Sequence, residues 1–381
     1  MQTLAEMNST MAGPIGDIPG ILKERPLIGS LSSRKHLYIP SLDGIRAVAV
    51  MMVFLSHAGF GHIVPGGFGV TVFFFLSGYL ITTLLREEHR QHQKINLRHF
   101  YFRRMLRIWP PLYLTLAIVA GFSFYGAFGL TKPESTPLLY QVLHLGNYYQ
   151  IFGHGQSIPG TEILWSLAVE EHFYLVWPML FACLYGRLSR QRFLLLLAGI
   201  CLTVLAWRCT LVWYWSANIW RTYFATDTRI DSILFGCILG IWRNPSLDNT
   251  SKKRAWVLPI LLIVSLTLLA ATFVIRSPAF RETFRYSIQG LALMPMFYAA
   301  VKASHKIPFR WLNHPALKVV GVWSYSIYLS HFFLLHILAE TVGRPSWNVA
   351  ILAMITSACF AWSIQILIDR PLSVFRRRLR A

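Results

Sequence analysis

The chain has 381 residues, of which 55% are hydrophobic and only 14% charged, and its mean hydropathy is positive. A soluble protein of this length carries about a quarter charged residues, so this composition excludes an ordinary soluble globular protein. The formal net charge of +20 invites a nucleic-acid partner, but the cations lie between apolar stretches rather than on one basic domain, and that argues against nucleic acid.

Residues 1–37 contain Pro, Gly and Ser and lack a compact apolar run between a basic start and a small-residue cleavage site. They are expected to form a flexible cytoplasmic lead rather than a signal peptide. From there on, apolar stretches recur. A hydrocarbon core of about 30 Å needs about 20 mostly apolar residues per helical crossing. Such stretches fall near 43–62, 67–85, 109–129, 162–185, 193–215, 229–242, 255–275, 286–302, 319–338 and 348–368. The segments between alternate spans, from 1–42 and 86–108 to 302–318 and 369–381, hold most of the 36 Lys and Arg residues. The positive-inside rule makes that side cytoplasmic and puts both termini there. Span 229–242 is short, so the expected number is about ten. No 20–50-residue repeat and no ten-residue alternating strand pattern is visible, which disfavours solenoids and outer-membrane barrels. Backbone groups in lipid must then be satisfied within helices. The expected fold is an all-α polytopic transmembrane bundle: a membrane domain over 38–371 and a basic cytoplasmic tail over 372–381. The outward connection 131–160, rich in Pro, Gly, His and Tyr, is expected to pack over the bundle as a re-entrant or interfacial piece. Cys183, Cys201, Cys209, Cys237 and Cys359 fall in apolar segments without metal-ligand spacing, so free thiols and no metal site are expected.

Charged residues inside a span cost at least about 2.5–3.5 kcal/mol each at the bilayer centre and normally face a polar interior. Four places carry them. In the first span, Arg46 and His57 stand eleven positions apart, which on a helix returns to within about 20° after a rise of about 16 Å. They share a face, either as a snorkelling arginine and a packed histidine or as a polar track with His57 as a proton-transfer group. At the mouth of the third span, Arg104 and Arg107 share a face at i and i+3. They are either a positive-inside flank or a pair of guanidinium forks suited to phosphate, as in a coenzyme A thioester. Glu170, Glu171 and His172 open the fourth span; a structural partner for an arginine and a functional carboxylate that orients an imidazole both fit. Asp227-Thr-Arg229-Ile-Asp231 alternates in sign and is expected to pair internally. Ser324-Tyr325-Ser326-Ile-Tyr328-Leu-Ser330-His331 in the ninth span is expected to line a cavity or bridge helices.

These blocks, taken together and in order, resemble the acyltransferase-3 family of bacterial integral-membrane O-acyltransferases. Ser41-Leu-Asp-Gly-Ile-Arg46-Ala-Val-Ala resembles the family opening, and Arg46 with His57 resembles its arginine–ten residues–histidine motif. Val72-Phe-Phe-Phe-Leu-Ser77-Gly78-Tyr79, Arg104-Met-Leu-Arg107, Leu164-Trp-Ser-Leu-Ala-Val-Glu170-Glu and Ser324–His331 resemble the later blocks, so the likeness covers roughly 38–371. Tyr79 and Ser330 stand where the family often has Phe and Trp, and His172 where Gln is frequent. The resemblance implies transfer of an acyl group, by expectation acetyl, from cytoplasmic acyl-CoA as co-substrate, with no tightly bound cofactor. The acceptor would be a hydroxyl on a polysaccharide, glycolipid or small metabolite, and the location the bacterial cytoplasmic membrane. It implies His57 as catalytic histidine with Arg46 its motif partner, Glu170 as a site carboxylate, and Arg104 and Arg107 on the CoA phosphates. General-base help by His57 and a covalent acyl-histidine are both compatible with these residues. The chain ends at Ala381 without the hydrolase-like domain fused to some relatives, so any second acyl-handling step would fall to a separate protein. The rival reading is a transporter or flippase with an intramembrane Arg/Glu/His pathway, although no paired interrupted helices mark inverted repeats.

Overall fold

The computed structural model describes residues 39–126, 135–153, 157–248, 256–342 and 346–378. The N-terminal lead expected over 1–37 lies outside the described residues. Among the described residues the chain is mostly helical and forms no strand, a polytopic all-α bundle. Its helices are α1 (Pro40–Leu55), α2 (Gly66–His92), α3 (Leu97–Phe124), α4 (Ser135–Val142), α5 (Gly146–Phe152), α6 (Trp165–Leu184), α7 (Arg190–Trp213), α8 (Ile219–Phe224), α9 (Thr226–Trp242), α10 (Val257–Val274), α11 (Pro278–Glu282), α12 (Phe284–Lys302), α13 (Pro315–Val342), α14 (Trp347–Ile364) and α15 (Arg370–Arg378).

Their ends follow local chemistry. Pro stands in the first turn of α1 and Asp43 beside it, where a missing N–H and a negative charge are both favourable. Asn96 caps α3 by accepting from the His99 N–H at 3.0 Å, and Ser189 caps α7 by accepting from Arg192 at 3.3 Å, each satisfying a donor the helix leaves orphaned. At its far end α1 widens into a π turn over Ser56–Phe60, with Gly59 at φ 102°, a conformation in which glycine pays no Cβ penalty. His57 sits in that turn. A second π turn, Gln365–Asp369, joins α14 to α15, so the boundary expected after residue 371 falls inside a helix; 379–381 lie outside the described residues.

Eight helical stretches among the described residues are long and apolar enough to cross a membrane, and they correspond to eight of the ten expected spans. The other two expected spans, 229–242 and 286–302, appear as α9 and α12. Both carry buried polar groups, Arg229, Asp231 and Ser232 on α9 and Ser287 and Gln289 on α12. At 17 residues α9 is too short for that standard, and α12, with Arg285, Gln289 and Lys302, is too polar; α9 packs against α2, α7 and α12, and polar side chains there are shielded by neighbouring helices. The outward connection folds in its described parts as α4 and α5 and packs onto the bundle. The Tyr113 hydroxyl donates to the Val142 carbonyl at 3.2 Å, and Asn147 donates to the Phe224 carbonyl at 3.2 Å.

Helices α2 and α9 approach closely through glycines. A Cβ on Gly78 would lie 1.9 Å from the Ile233 carbonyl oxygen, and one on Gly236 would lie 2.0 Å from that of Phe75. Small residues of this kind let helix backbones meet where lipid provides no hydrophobic drive. Gly78→Ala must therefore push the two helices apart, at about 1–3 kcal/mol or more. The expected result is a clearly lowered thermal midpoint in detergent for Gly78→Ala. Gly121→Ala, whose Cβ would meet nothing within 4 Å, should melt as the parent does; equal midpoints for the two variants would refute the close contact.

The charges of the Asp227–Asp231 segment do not pair with one another as the sequence suggests. Asp227 accepts from Arg221 on α8, and Asp231 takes both arms of Arg208 on α7 at 2.9 and 2.8 Å. Arg229 pairs with no carboxylate among the described residues. Its guanidinium lies 4.0 Å from the Tyr286 ring centroid and 5.2 Å from that of Tyr223, with Phe74 and Trp165 at 5.4 and 5.6 Å. Ring faces stabilise a desolvated cation that has no anionic partner.

Candidate functional site

Helices α1, α2, α3, α6 and α13 line an open recess of about 840 Å³, the solvent at its mouth included. Four of the residues singled out from the sequence, Arg46, Arg104, Arg107 and Glu170, line it together with Glu171, Tyr174 and Tyr328. Arg46 donates to Asp43, one turn back on α1, at 2.7 Å. Arg104 and Arg107 lie on the same face of α3, as their i, i+3 spacing requires. The Arg104 guanidinium stands 4.7 Å from the Tyr174 ring centroid. Among the described residues no carboxylate comes within 4.0 Å of Arg104 or Arg107. Two guanidinium forks thus face the recess without a carboxylate in direct contact.

The opposite wall comes from α6 and α13. Glu170 accepts from the Tyr174 hydroxyl at 2.7 Å, and that hydroxyl also lies 2.9 Å from Ser77 Oγ on α2. Glu171 has a buried oxygen, Oε1, without a hydrogen-bond partner. His172 turns away from both carboxylates, its Nδ1 2.7 Å from the Thr226 hydroxyl, so the imidazole beside Glu170 in sequence is not its partner in space. On α13, the Tyr325 hydroxyl donates to the Ile108 carbonyl at 2.8 Å and the Tyr328 hydroxyl sits 2.7 Å from Ser166 Oγ.

His57 is not among the residues that line this recess. It is exposed on the π turn that ends α1, and its Nδ1 lies 3.0 Å from Nε2 of His331 on α13. The two rings stack with centroids 5.2 Å apart. His331 is fully buried, and its ring lies 5.5 Å from that of Tyr328, the residue that walls the recess. One aromatic ring therefore separates the arginine-lined space from the imidazole pair. The structure sets Arg46, Arg104, Arg107 and Glu170 together, and His57 one step beyond them with His331.

His331 is the residue that sequence reasoning undervalued. The signal was present: Ser324, Tyr328 and His331 stand at i, i+4 and i+7, one stripe of a helix, and the first two line the recess. Tyr174, at i+4 from Glu170, was legible in the same way. Among the described residues no group of three or more His, Cys, Asp and Glu is arranged to hold a metal ion, and the five cysteines are free.

A charged recess inside a polytopic helical bundle, with an imidazole pair one aromatic ring beyond its wall, defines a membrane protein built around an internal polar site. The chain belongs to the acyltransferase-3 family: residues 39–366 match its acyltransferase domain. It is 30% identical over 308 residues to the O-acetyltransferase OatA of Staphylococcus aureus (strain NCTC 8325 / PS 47), covering 77% of this chain and 50% of that protein. It is also 30% identical over 315 residues to the peptidoglycan O-acetyltransferase OatA of Listeria monocytogenes, covering 79% of this chain and 49% of that protein. The chain thus spans about half the length of these relatives. No solved structure matches it.

Proposed function

We propose that this protein is a membrane O-acyltransferase that moves an acetyl group from acyl-CoA to a hydroxyl, with His57 as the base. The observation that carries the reading is the pair of guanidinium forks, Arg104 and Arg107, without a carboxylate partner in a recess one ring away from an imidazole pair. Guanidinium forks match phosphate oxygens bidentately, and a thioester tethered to such phosphates by a long flexible arm would have to pass the Tyr328 ring to reach His57. Donor phosphates would enter from the cytoplasmic face of the bacterial cytoplasmic membrane. His57 would take the acceptor's hydroxyl proton as the oxygen attacks the thioester carbonyl and the C–S bond breaks. Arg46, neutralised by Asp43, and Glu170, bonded to Tyr174, would shape the recess and set its field rather than exchange protons with His57, to which neither is hydrogen-bonded. The acceptor belongs to the saccharide class by likeness to the relatives, one of which is named for peptidoglycan.

Membranes holding the protein should transfer label from radiolabelled acetyl-CoA to a polysaccharide or small hydroxylated acceptor. Failure over a panel of acyl-CoAs and acceptors, with vesicle uptake of a carbohydrate or acid that depends on Glu170, would replace this reading with a transporter. Within it, Arg104→Gln and Arg107→Gln should each raise the KM for acyl-CoA by about 10-fold or more at little change in kcat, since a charge-assisted hydrogen bond contributes about 1.5–3 kcal/mol. Arg98→Gln, an exposed cation on the same helix, should leave KM unchanged. Equal effects of all three would reduce Arg104 and Arg107 to topology signals.

A further inference from the structure

The tautomer of His57 is decided by its neighbours. His331 Nδ1 lies 2.8 Å from the Tyr328 carbonyl oxygen and 3.2 Å from that of Ile327. A carbonyl oxygen only accepts, so this Nδ1 carries hydrogen, and the Nε2 of the neutral ring is then a bare acceptor. The contact of that Nε2 with His57 Nδ1, at 3.0 Å, requires His57 Nδ1 to be the donor. The lone pair of His57 is thereby left on Nε2, the nitrogen not engaged by His331, on a side chain that is exposed. Around His331 stand the rings of Phe54, Tyr328 and Phe332, and no carboxylate among the described residues is hydrogen-bonded to either imidazole.

We propose that His331 is a positioning residue for the transfer reaction, holding His57 in the tautomer whose Nε2 can accept the acceptor's hydroxyl proton. This rests on the reading of His57 as the base. In a histidine–carboxylate pair an anion orients the ring and stabilises the imidazolium; here a neutral imidazole anchored on a backbone carbonyl supplies the orientation. The steps balance. The hydroxyl proton moves to His57 Nε2 while its oxygen bonds to the acyl carbon and the thioester C–S bond breaks. His57 then carries the positive charge, its Nδ1–H still donating to His331 Nε2. The departing thiolate takes the proton from His57 Nε2, which restores the neutral ring. The charge stays on the exposed ring, because His331 is fully buried and burial disfavours an imidazolium.

The test compares His331→Leu, which removes the acceptor, with His331→Gln, whose amide oxygen can still accept from His57 Nδ1. His331→Leu should lower kcat by about 100-fold, within the range of general-base effects, and leave the KM for acetyl-CoA unchanged. His331→Gln should retain at least about tenfold more activity than His331→Leu. Independently of activity, nitrogen NMR on protein labelled at histidine, with the His57 signals identified by their loss in His57→Asn, should show hydrogen on Nδ1 and a bare Nε2. Where His331→Leu fails to accumulate in membranes, the wild-type tautomer and His331→Gln decide the matter. Wild-type kcat in His331→Leu, equal losses in the two variants, or a bare Nδ1 on His57 would each overturn the role of His331 while leaving His57 as the base. Undiminished transfer by His57→Ala would remove the underlying reading instead.

Discussion

His57→Ala is expected to abolish acyl transfer while leaving the protein in the membrane at its normal level. Proton transfer by a positioned imidazole is worth about 10²–10⁴ in rate, so residual activity should fall to a hundredth of wild type or below. Stability should change little for a physical reason: His57 is exposed and makes a single side-chain hydrogen bond, to His331. The bulk of α1 packs through Ala47, Val50, Val53 and Phe54, all buried. Removing the imidazole leaves His331 Nε2 without its donor, a penalty of about 1–3 kcal/mol at most, which a bundle of this size tolerates. Label transfer from acetyl-CoA, normalised to immunoblotted protein, measures both halves of the expectation. Transfer within twofold of wild type would defeat the assignment of the base.

Arg208→Met should have the largest effect on folding. Arg208 and Asp231 are both fully buried, and together they tie α7, α9 and α12. Besides Asp231, Arg208 donates to the Thr283 carbonyl at 3.0 Å, the Thr228 carbonyl at 2.6 Å and Ser287 Oγ at 2.6 Å, and Ser287 in turn donates to Asp231 at 2.7 Å. Removing the cation strands a buried carboxylate, which costs about 3–5 kcal/mol. The expected result is little or no folded protein in detergent extracts, or a thermal midpoint many degrees lower. Replacing both charges, as Arg208→Met with Asp231→Leu, should recover part of the loss, because an apolar pair leaves no uncompensated charge. A double variant less stable than either single one would mean that the hydrogen bonds to Thr228, Thr283 and Ser287, rather than the charge balance, hold the three helices.

The bundle was legible from the sequence because its signals are local. A span announces itself within about 20 residues of its own chain, and the Arg104/Arg107 face follows from helical spacing alone. The failures concern long-range choices. Asp231 was expected to use Arg229, two residues away, yet its partner is Arg208, 23 residues back on another helix. Residues i and i+2 on a helix point to different sides, so neighbours of opposite sign in sequence need not meet, and Arg229 finds aromatic faces instead.

What the sequence by itself determined, then, is the class of protein and a set of candidate site residues: apolar runs too long for a soluble core, cations biased to alternate loops, and Arg46, His57, Arg104, Arg107 and Glu170 in an order that resembles one family. Only the tertiary structure decided which of these groups meet. It brought His331 to His57 across 274 positions of chain, turned His172 to Thr226, and drew the polar helices α9 and α12 into the bundle. The reason is physical. Hydropathy and helical period are summed over neighbours in the chain, whereas a buried polar group takes whichever partner the packing of other helices brings within about 3 Å, because leaving it unpaired there costs more than any local preference can return.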